Sequence, residues 1–390
     1  MSSANGASDG GAGGASDGDA GGASNGGSSG AGEHGEAGDN SAGGATAGAD
    51  EGAAGSSDGG AAGSSAFGAG GLYGTEDPVD MPGCFGHNST TSPIAFAAPN
   101  SLAASLLQGG GGFMLYATHP TLNSVSIRYS DPTQSVWADW LCFDGLPQPQ
   151  RIAAVNLTGE FLLPEIYVTT AQGRLFARRY YSTVDGWTQW EELTLPTASS
   201  RAIDVAGVGA PSPMLFMYII DRDQIFMRHK LTSDGHSAYG RWALVGTPAS
   251  AKHVCAVVRS DNKQQVFVLD DAGNVHTSVQ LDVAPDSAFQ DFEPLTDGST
   301  LRFSELRCGY STDGSPAIFG LSNGALWTRL QSAGAWGLWS RDTESALHGL
   351  RTLAVISQEA SMPTVFGTDA KDQLWSHLVG SSSSWSTIDQ

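Results

Sequence analysis

The chain has 390 residues, with 40 acidic against 19 basic side chains and a net charge of −21 at pH 7. This balance excludes the basic stripe that supplies most non-specific affinity for nucleic acid. No apolar run of about 18 residues is present, so the sequence contains no candidate transmembrane segment.

The first 75 residues differ in composition from the rest. They contain 26 of the 52 glycines, two aromatic residues and no Lys or Arg. Such a segment cannot bury enough apolar surface to offset the entropy lost on ordering. We therefore expect a disordered, acidic, Gly/Ala/Ser/Asp-rich linker at 1–75, followed by a connecting segment at 76–100.

From about residue 84 the chain alternates short aromatic and β-branched runs with clusters of Gly, Asn, Asp, Ser and Pro. This pattern is typical of strands and turns, and no long segment has helical periodicity. The remainder of the chain is therefore predicted to be all-β.

A repeat of about 50 residues runs through this part of the chain. Each unit has a turn residue that tolerates positive φ; these are Asn123, Gly173, Asp223, Gly273, Gly324 and Asp372. An aliphatic residue follows two positions later. Three positions beyond it lie Arg128, Arg178, Arg228, Ser278, Arg329 and His377.

An aromatic pair follows in the same register. The pairs are Trp137/Trp140, Trp187/Trp190, Tyr239/Trp242, Phe289/Phe292 and Trp336/Trp339, with Trp385 and Ile388 in the last unit. All ten tryptophans lie in these positions or at Trp327 and Trp375 of the preceding strand. Chance placement would not produce this register.

Each unit holds four strand candidates, which in the second unit are RIAAV, EIYVTT, LFARRYY and WTQWEEL. Four short antiparallel strands per unit at this period predict a β-propeller, whose blades bury both faces against their neighbours. The sequence predicts six blades within 101–390. Their approximate limits are 101–149, 150–199, 200–250, 251–299, 300–346 and 347–390.

The units resemble a known family of repeats. AIFGLSNGALWTRL with WGLWSRD in the fifth unit and TVFGTDAKDQLWSHL in the sixth are similar to the repeat of PLL-like and tectonin-type propeller lectins, relatives of the fucose-specific lectin propellers. The resemblance covers all six units and is weakest in the fourth. It implies carbohydrate binding, of fucose, O-methylated sugars or other surface glycans, at shallow sites between blades.

Sugar binding requires an aromatic plate for the C–H face of the ring and fixed donors for its hydroxyl rim. Strand alternation places Trp327 with Arg329 on one strand face, and a groove between the last two blades would add Trp375 and His377. The full set of candidate binding residues is Trp327, Arg329, Trp375, His377, Phe176, Arg178, Phe226, Arg228, Trp187 and Trp336. The same aromatic–arginine pairs also suit cation–π contacts that hold one blade to the next.

Two other functions are alternatives to carbohydrate binding. A propeller scaffold for protein–protein interaction at the cell surface is the alternative. A glycoside hydrolase or sialidase-like enzyme is less favoured, because STDGSPAI at 311–318 departs from the sialidase Asp-box pattern and no nucleophile or metal motif is present. We therefore expect no enzymatic activity, no catalytic residues, no cofactor and no metal site.

The four cysteines allow two disulfides. Cys255 and Cys308 occupy nearly equivalent places in the first strands of consecutive blades, where they would either pair or be small buried residues. Cys84 and Cys142 would join the connecting segment to the last strand of the first blade.

No signal peptide is visible after Met1. A Gly/Ala/Ser/Asp spacer before a β-domain is nevertheless typical of exported proteins. We therefore expect an extracellular or cell-surface protein of the bacterial secreted or lipoprotein type, with an export signal or lipid anchor encoded upstream of the given start.

Deletion of residues 1–75 is expected to leave the melting temperature and ligand binding unchanged, because the segment offers almost no apolar surface for packing. Thermal denaturation of the full and shortened chains tests this. A melting temperature lowered by several degrees would show that the segment belongs to the fold.

Overall fold

The computed structural model describes residues 101–388, except 108–111, 120, 131–135, 139, 157–163, 183–185, 210–213, 232–237 and 358–361. The predicted linker at 1–75, the connecting segment at 76–100 and Cys84 lie outside the described residues. Six antiparallel sheets follow one another along the chain. The predicted six-bladed β-propeller of four-stranded blades is confirmed.

Each of the first three blades is one contiguous stretch of chain. Blade 1 consists of β1 (Leu102–Leu106), β2 (Phe113–His119), β3 (Ser124–Tyr129) and β4 (Leu141–Phe143). Blade 2 consists of β5 (Pro149–Asn156), β6 (Pro164–Thr170), β7 (Leu175–Ser182), β8 (Gly186–Trp187) and β9 (Glu191–Leu193). Blade 3 consists of β10 (Asp204–Gly209), β11 (Met214–Asp221), β12 (Gln224–Leu231) and β13 (Ala243–Gly246).

The last three blades follow the same order. Blade 4 consists of β14 (Ala251–Val258), β15 (Gln264–Asp270), β16 (Val275–Val279) and β17 (Glu293–Pro294). Blade 5 consists of β18 (Glu305–Tyr310), β19 (Pro316–Ser322), β20 (Ala325–Ser332), β21 (Ala335–Trp336) and β22 (Ser340–Arg341). After the short helix α1 (Ser345–His348), blade 6 consists of β23 (Thr352–Ile356), β24 (Thr364–Thr368), β25 (Leu374–Leu378) and β26 (Ser386–Thr387).

Outer strands are the least regular part of each blade. In blade 2 the single predicted strand WTQWEEL is two short pieces, β8 and β9, and both pair with β7. Blade 5 has the same division, with β21 and β22 both paired to β20. The side chains between the two pieces, including Trp190 in blade 2, are thereby free to point into the interface with the preceding blade.

The hairpin between the second and third strands has positive φ at five of the six predicted turn residues. Blade 3 is the exception. Its loop has only two residues, between the paired Asp221 and Gln224, and the positive φ of 58° falls on Arg222 and not on Asp223. A two-residue hairpin with positive φ at its first position alone is of the II′ type, so the repeat register predicted the turn but not the strained residue.

In each of the six blades, the second strand has an aromatic side chain at the same position. Each member is fully buried and faces the next blade: Tyr116, Tyr167, Tyr218, Phe267, Phe319 and Phe366. Their partners in the innermost strands are Ala103, Ala153, Ala206, Cys255, Arg307 and Ala354. Because five of these partners are small, the inner strands approach the axis closely while the aromatic rings fill the wedge between blades.

The ring closes by face-to-face packing, because each blade is built from its own stretch of chain. Innermost strands contact one another in the order β1, β5, β10, β14, β18, β23 and back to β1. At the closing interface Phe366 of blade 6 packs edge-on against Phe113 and Trp137 of blade 1, with ring centroids 5.7 and 5.9 Å apart. Burial of this apolar surface is the main term that holds the last blade against the first.

Arg307 on β18 links three blades near the axis. Its Nε donates to the carbonyl of Leu353 at 2.8 Å, and its Nη2 donates to the carbonyl of Leu102 at 2.7 Å. It also pairs at 3.1 Å with the fully buried Glu305, whose Oε1 accepts from the Leu353 amide at 3.1 Å. This polar group therefore joins blades 5, 6 and 1.

Cys255 and Cys308 form a disulfide with a Cα–Cα distance of 5.6 Å. It joins the innermost strands of blades 4 and 5 and lines a cavity of about 80 Å³ on the axis, together with side chains from the inner strands of all six blades. Cys142 is also disulfide-bonded, but its expected partner Cys84 lies outside the described residues.

Arg307→Ala is expected to lower the free energy of unfolding by about 3 to 5 kcal/mol, because Glu305 would remain buried without its counter-charge. Chemical denaturation measures the change. Arg302→Ala is the matched control: Arg302 is exposed, and within the described part of the chain its guanidinium donates to the carbonyl of its neighbour Leu301. Equal stabilities for the two variants would contradict the role of Arg307 in ring closure.

Candidate functional site

The repeated third-strand arginines all face the preceding blade. We name each contact by its two blades, so that interface 1–2 lies between blades 1 and 2. Arg178 lies at interface 1–2, Arg228 at interface 2–3 and Arg329 at interface 4–5, each beside aromatic side chains of its own outer strand. The predicted aromatic–arginine clusters therefore exist, but the hydrogen bonding of the guanidinium differs from one interface to the next.

Arg329 is only 4% exposed, and backbone carbonyls occupy its donors. Nε donates to Gly337 at 2.6 Å, Nη1 to Leu295 at 2.9 Å and Nη2 to Thr296 at 3.2 Å. Leu295 and Thr296 follow the outer strand of blade 4, so this arginine fastens blade 5 to blade 4. The sequence pattern predicts Arg329 as a binding residue, but its guanidinium is buried and bonded to backbone carbonyls, so it does not lie at an exposed rim where a ligand could bind.

The groove predicted between the last two blades is not formed as expected. Trp327 packs into the apolar cluster of interface 4–5, whereas Trp375 packs into that of interface 5–6. The two rings therefore line different interfaces. Trp336 also belongs to interface 4–5, where its ring meets Phe267 edge-on at 5.4 Å.

His377 takes the arginine position in blade 6 and is held between two partners. Its ring stacks on Trp385 with centroids 5.1 Å apart, and its Nε2 lies 3.3 Å from Oδ2 of Asp342 in blade 5. The same Oδ2 accepts from the Trp385 indole at 3.3 Å. Trp375 stacks on His348, with ring centroids 3.9 Å apart. This arrangement seals interface 5–6.

At interface 1–2 the guanidinium of Arg178 stacks on aromatic rings but is not fully hydrogen-bonded. Its Cζ lies 3.9 Å from the ring centroid of Phe143 and 5.6 Å from that of Trp190. The buried Nε of Arg178 and indole Nε1 of Trp190 have no hydrogen-bond partner among the described residues. Burial lowers the pKa of Arg178 to about 10, so the side chain is still charged at neutral pH.

The other candidates in blade 2, Phe176 and Trp187, pack at this interface. Phe176 is 7% exposed and packs in the same apolar cluster as Phe143. Trp187 lies edge-on or tilted against Phe143 at 5.2 Å and Tyr180 at 5.6 Å. The sequence repeat identified Trp190 as part of an aromatic pair, but Phe143 carried no signal because it comes from the preceding blade.

At interface 2–3 the guanidinium of Arg228 lies over two rings, with Cζ 4.2 Å from the centroid of Tyr239 and 4.5 Å from that of Trp242. Arg228 is 4% exposed, and its Nε and Nη2 have no partner among the described residues. Phe226, on the same strand, is half-buried in the same apolar cluster. Trp242 donates its indole N–H to the carbonyl of Thr194 in blade 2 at 2.9 Å.

A buried polar network adjoins Arg228. The fully buried Glu165 of blade 2 binds Lys230 of blade 3, Arg179 at 3.1 Å and the hydroxyl of Tyr239. Because the one hydroxyl proton of Tyr239 is donated to Glu165, the Tyr167 hydroxyl, 2.9 Å away, donates to the Tyr239 oxygen. Burial and the Glu165 carboxylate raise the pKa of Tyr239 well above its usual value, so its hydroxyl stays protonated.

Interface 3–4 lacks a cation at this position. Ser278 replaces the arginine and donates to the carbonyl of Gln290 at 2.6 Å, while Phe289 and Phe292 pack against the apolar cluster. In the described part of the chain, no three His, Cys, Asp or Glu side chains are grouped so as to hold a metal ion. Nor does any helix there have the length and apolar character needed to span a membrane.

No sequence model of a known family matches the chain, and no curated protein does. Solved structures share its fold. The six-bladed fungal lectin of Aleuria aurantia superposes with a TM-score of 0.52 at 13% identity, covering 76% of this chain and 96% of the lectin. The BP39L lectin of Burkholderia pseudomallei superposes with a TM-score of 0.51 at 14% identity, covering 74% of this chain and 98% of the lectin. The SapL1 lectin in complex with alpha methyl fucoside superposes with a TM-score of 0.51 at 15% identity, covering 76% of this chain and 97% of the lectin.

Arg329→Ala is expected to lower the free energy of unfolding by about 3 kcal/mol or more, since each buried carbonyl left unpaired costs about 1 to 3 kcal/mol. Urea denaturation tests this, with Arg351→Ala as the control because Arg351 is exposed. Wild-type stability of the Arg329→Ala protein would show that the guanidinium does not fasten blade 5 to blade 4.

Proposed function

We propose that the protein is a non-enzymatic, multivalent lectin whose ligands occupy the grooves at interfaces 1–2 and 2–3. One observation carries the proposal: at these two interfaces, buried guanidinium donors lie beside aromatic faces without hydrogen-bond partners among the described residues. Buried polar groups in folded proteins are otherwise nearly always satisfied. A ligand oxygen would satisfy them.

The chemistry of these grooves suits a saccharide. A sugar presents an apolar C–H face that packs on an aromatic ring and hydroxyl oxygens that accept from fixed donors. At interface 1–2 the Trp190 ring supplies the plate, and the Arg178 Nε and Trp190 Nε1 supply two donors within one groove.

Comparison within the repeat supports a binding role for Arg178 and Arg228 and a structural role for Arg329. All three occupy the same third-strand position. Each of the three guanidinium nitrogens of Arg329 donates to a backbone carbonyl, and two of these carbonyls belong to blade 4, as an arginine that links two blades requires. The unpaired donors of Arg178 and Arg228 are not explained by blade packing.

The fold relatives support the same ligand class. Two of them are named as fucose-binding, one for a fucose recognition mode and one for its complex with alpha methyl fucoside. The sequence repeat resembles that of PLL-like and tectonin-type lectins, whose ligands include fucose and O-methylated sugars. We propose fucosylated, O-methylated or other cell-surface glycans as the ligands of this protein.

The proposal extends to location and mode of action. Two or more weak sites on one rigid ring give useful avidity where sugars are densely displayed, as on a cell surface. An acidic spacer ahead of the ring would suit an extracellular or surface-attached protein. No hydrolytic role is proposed for interface 2–3, where both oxygens of the buried Glu165 carboxylate are engaged by Lys230, Arg179 and Tyr239.

A glycan array probed with the full chain tests the proposed function, followed by calorimetry with the strongest neutral ligand. Arg178→Gln is expected to remove charge-assisted hydrogen bonds of about 1.5 to 3 kcal/mol each at interface 1–2. Affinity there should fall about tenfold or more, and the binding stoichiometry should drop by one site while other grooves continue to bind.

Two variants sharpen the test. Trp190→Phe keeps the aromatic plate but removes its N–H donor, so it should weaken the same site less than Arg178→Gln does. Arg302→Gln removes an exposed charge elsewhere and should leave binding unchanged. An array without any bound glycan would refute the lectin proposal, and an unchanged stoichiometry in Arg178→Gln would show that interface 1–2 is not a site.

A further inference from the structure

The unpaired atoms of Arg228 form one edge of its guanidinium. Nε and Nη2 are the two nitrogens whose N–H groups point in parallel, and both are buried without a partner among the described residues. Two parallel donors match the two oxygens of a carboxylate, which a single hydroxyl cannot do. The shape of the vacant edge therefore favours a planar anion over a neutral sugar hydroxyl.

The corresponding Nε/Nη2 edge of another arginine, Arg174, binds a carboxylate in this protein. Arg174 Nε donates to Oε1 of Glu192 at 2.7 Å, and Arg174 Nη2 donates to Oε2 of the same side chain. This exposed pair shows the bidentate geometry that the buried edge of Arg228 lacks.

The two carboxylates whose charge acts on Arg228, Glu165 and Glu191, form ion pairs with other cations. Glu165 is engaged by Lys230 and Arg179, and Glu191 also pairs with Arg179 at 3.2 Å. Three cations consequently surround the Tyr239 ring: Arg228 with Cζ at 4.2 Å, Lys230 with Nζ at 5.0 Å and Arg179 with Cζ at 5.6 Å from its centroid. An ionised group buried without an opposite charge is unfavourable, and a bound anion would relieve that.

The other interfaces do not combine these features among the described residues. Interface 3–4 has Ser278 in place of the cation, and each guanidinium nitrogen of Arg329 at interface 4–5 donates to a carbonyl. His377 takes the position in blade 6, and the Nε of Arg128 in blade 1 donates to the carbonyl of Ala138 at 2.7 Å. At interface 1–2 only the Nε of Arg178 is both buried and without a partner among the described residues, whereas Arg228 has two such nitrogens on one edge. Interface 2–3 is thus distinguished from its neighbours by the vacant fork and by the excess of cations around it.

We propose that the groove at interface 2–3 binds the carboxylate of an acidic sugar, such as a uronic or sialic acid, through the Nε/Nη2 edge of Arg228. The Tyr239 and Trp242 rings lie against the guanidinium of Arg228, with centroids 4.2 and 4.5 Å from its Cζ, and would give the saccharide an aromatic surface. This inference rests on the proposed lectin function and assigns one of its sites to a charged ligand class.

Matched glycans test the assignment on the full chain at physiological salt. Galacturonate oligosaccharides are compared with their methyl esters, and sialyllactose is compared with lactose. Because the methyl ester removes the charge and one acceptor oxygen but keeps the ring, the acids are expected to bind about tenfold or more tightly than their neutral partners. Poly-glutamate and a sulfated galactoside serve as probes for charge without a sugar and for a non-planar anion.

Two Arg228 variants and one control identify the groove. Arg228→Gln should abolish the preference for the acid, and Arg228→Lys, which keeps the charge but not the fork, should reduce it several-fold. Arg241→Gln removes an exposed charge next to Trp242 and should leave the preference intact. Melting curves with and without galacturonate oligosaccharide show that each variant is folded, and only wild type and Arg241→Gln should be stabilised by it.

The outcomes separate this inference from the function on which it rests. Neutral glycans bound as tightly as their acids would overturn the acidic-sugar site but leave the lectin proposal standing. Binding to no glycan would end both. Equal binding to poly-glutamate, a preference for the sulfated sugar, or an acid preference that survives in Arg228→Gln would each show that the carboxylate does not bind to this edge.

Discussion

The structure depends on a ring that has to close without exchanging strands. Within residues 101–388, each sheet is built from one contiguous stretch of chain, and no strand described there is exchanged between the first and the last blade. Closure therefore depends on the same apolar packing that joins every other pair of blades, aided by Arg307 near the axis. A propeller closed in this way needs every interface to be well packed, because an open ring would expose two blade faces.

The need for good packing at every interface explains why the repeat is so regular in the sequence. For the same reason, the repeat by itself does not identify binding residues. The outer-strand aromatics and the third-strand arginines recur because each blade has to fill the wedge against its predecessor. Whether a given arginine also serves a ligand depends on which acceptors the preceding blade offers. Blade 4 offers the carbonyls of Leu295 and Thr296 to Arg329, whereas blade 1 offers the ring of Phe143 to Arg178.

The sequence was sufficient to predict the architecture because spacing alone encodes it. Turn residues, aliphatic positions and aromatic pairs at a fixed period gave the number of blades and strands. The fully buried aromatic residues of the second strands, such as Tyr116 and Phe319, were an equally regular signal that the sequence interpretation missed. The positive φ at Arg222 could not be foreseen, since it depends on turn type: the two-residue loop of blade 5 has positive φ at both Asn323 and Gly324, whereas that of blade 3 has it at Arg222 alone.

The candidate site was harder to predict, for a physical reason. Trp327 and Trp375 occupy equivalent positions in consecutive blades, and equivalent positions of a ring face successive interfaces and never the same one. Residues that meet across an interface come from non-equivalent positions, as Phe143 and Arg178 do. Hydrogen-bond saturation of a guanidinium likewise depends on backbone carbonyls, which have no residue-specific signature in the sequence.

The disulfide between Cys255 and Cys308 makes the ring mechanically unequal around its circumference. A covalent bond between the innermost strands of blades 4 and 5 turns these two blades into one body at the axis. Separation of these two blades at the axis is therefore opposed by a covalent bond as well as by packing. Among the described residues, the blades at the opposite extreme are the last and the first, which are neighbours in the ring but are not consecutive in the chain.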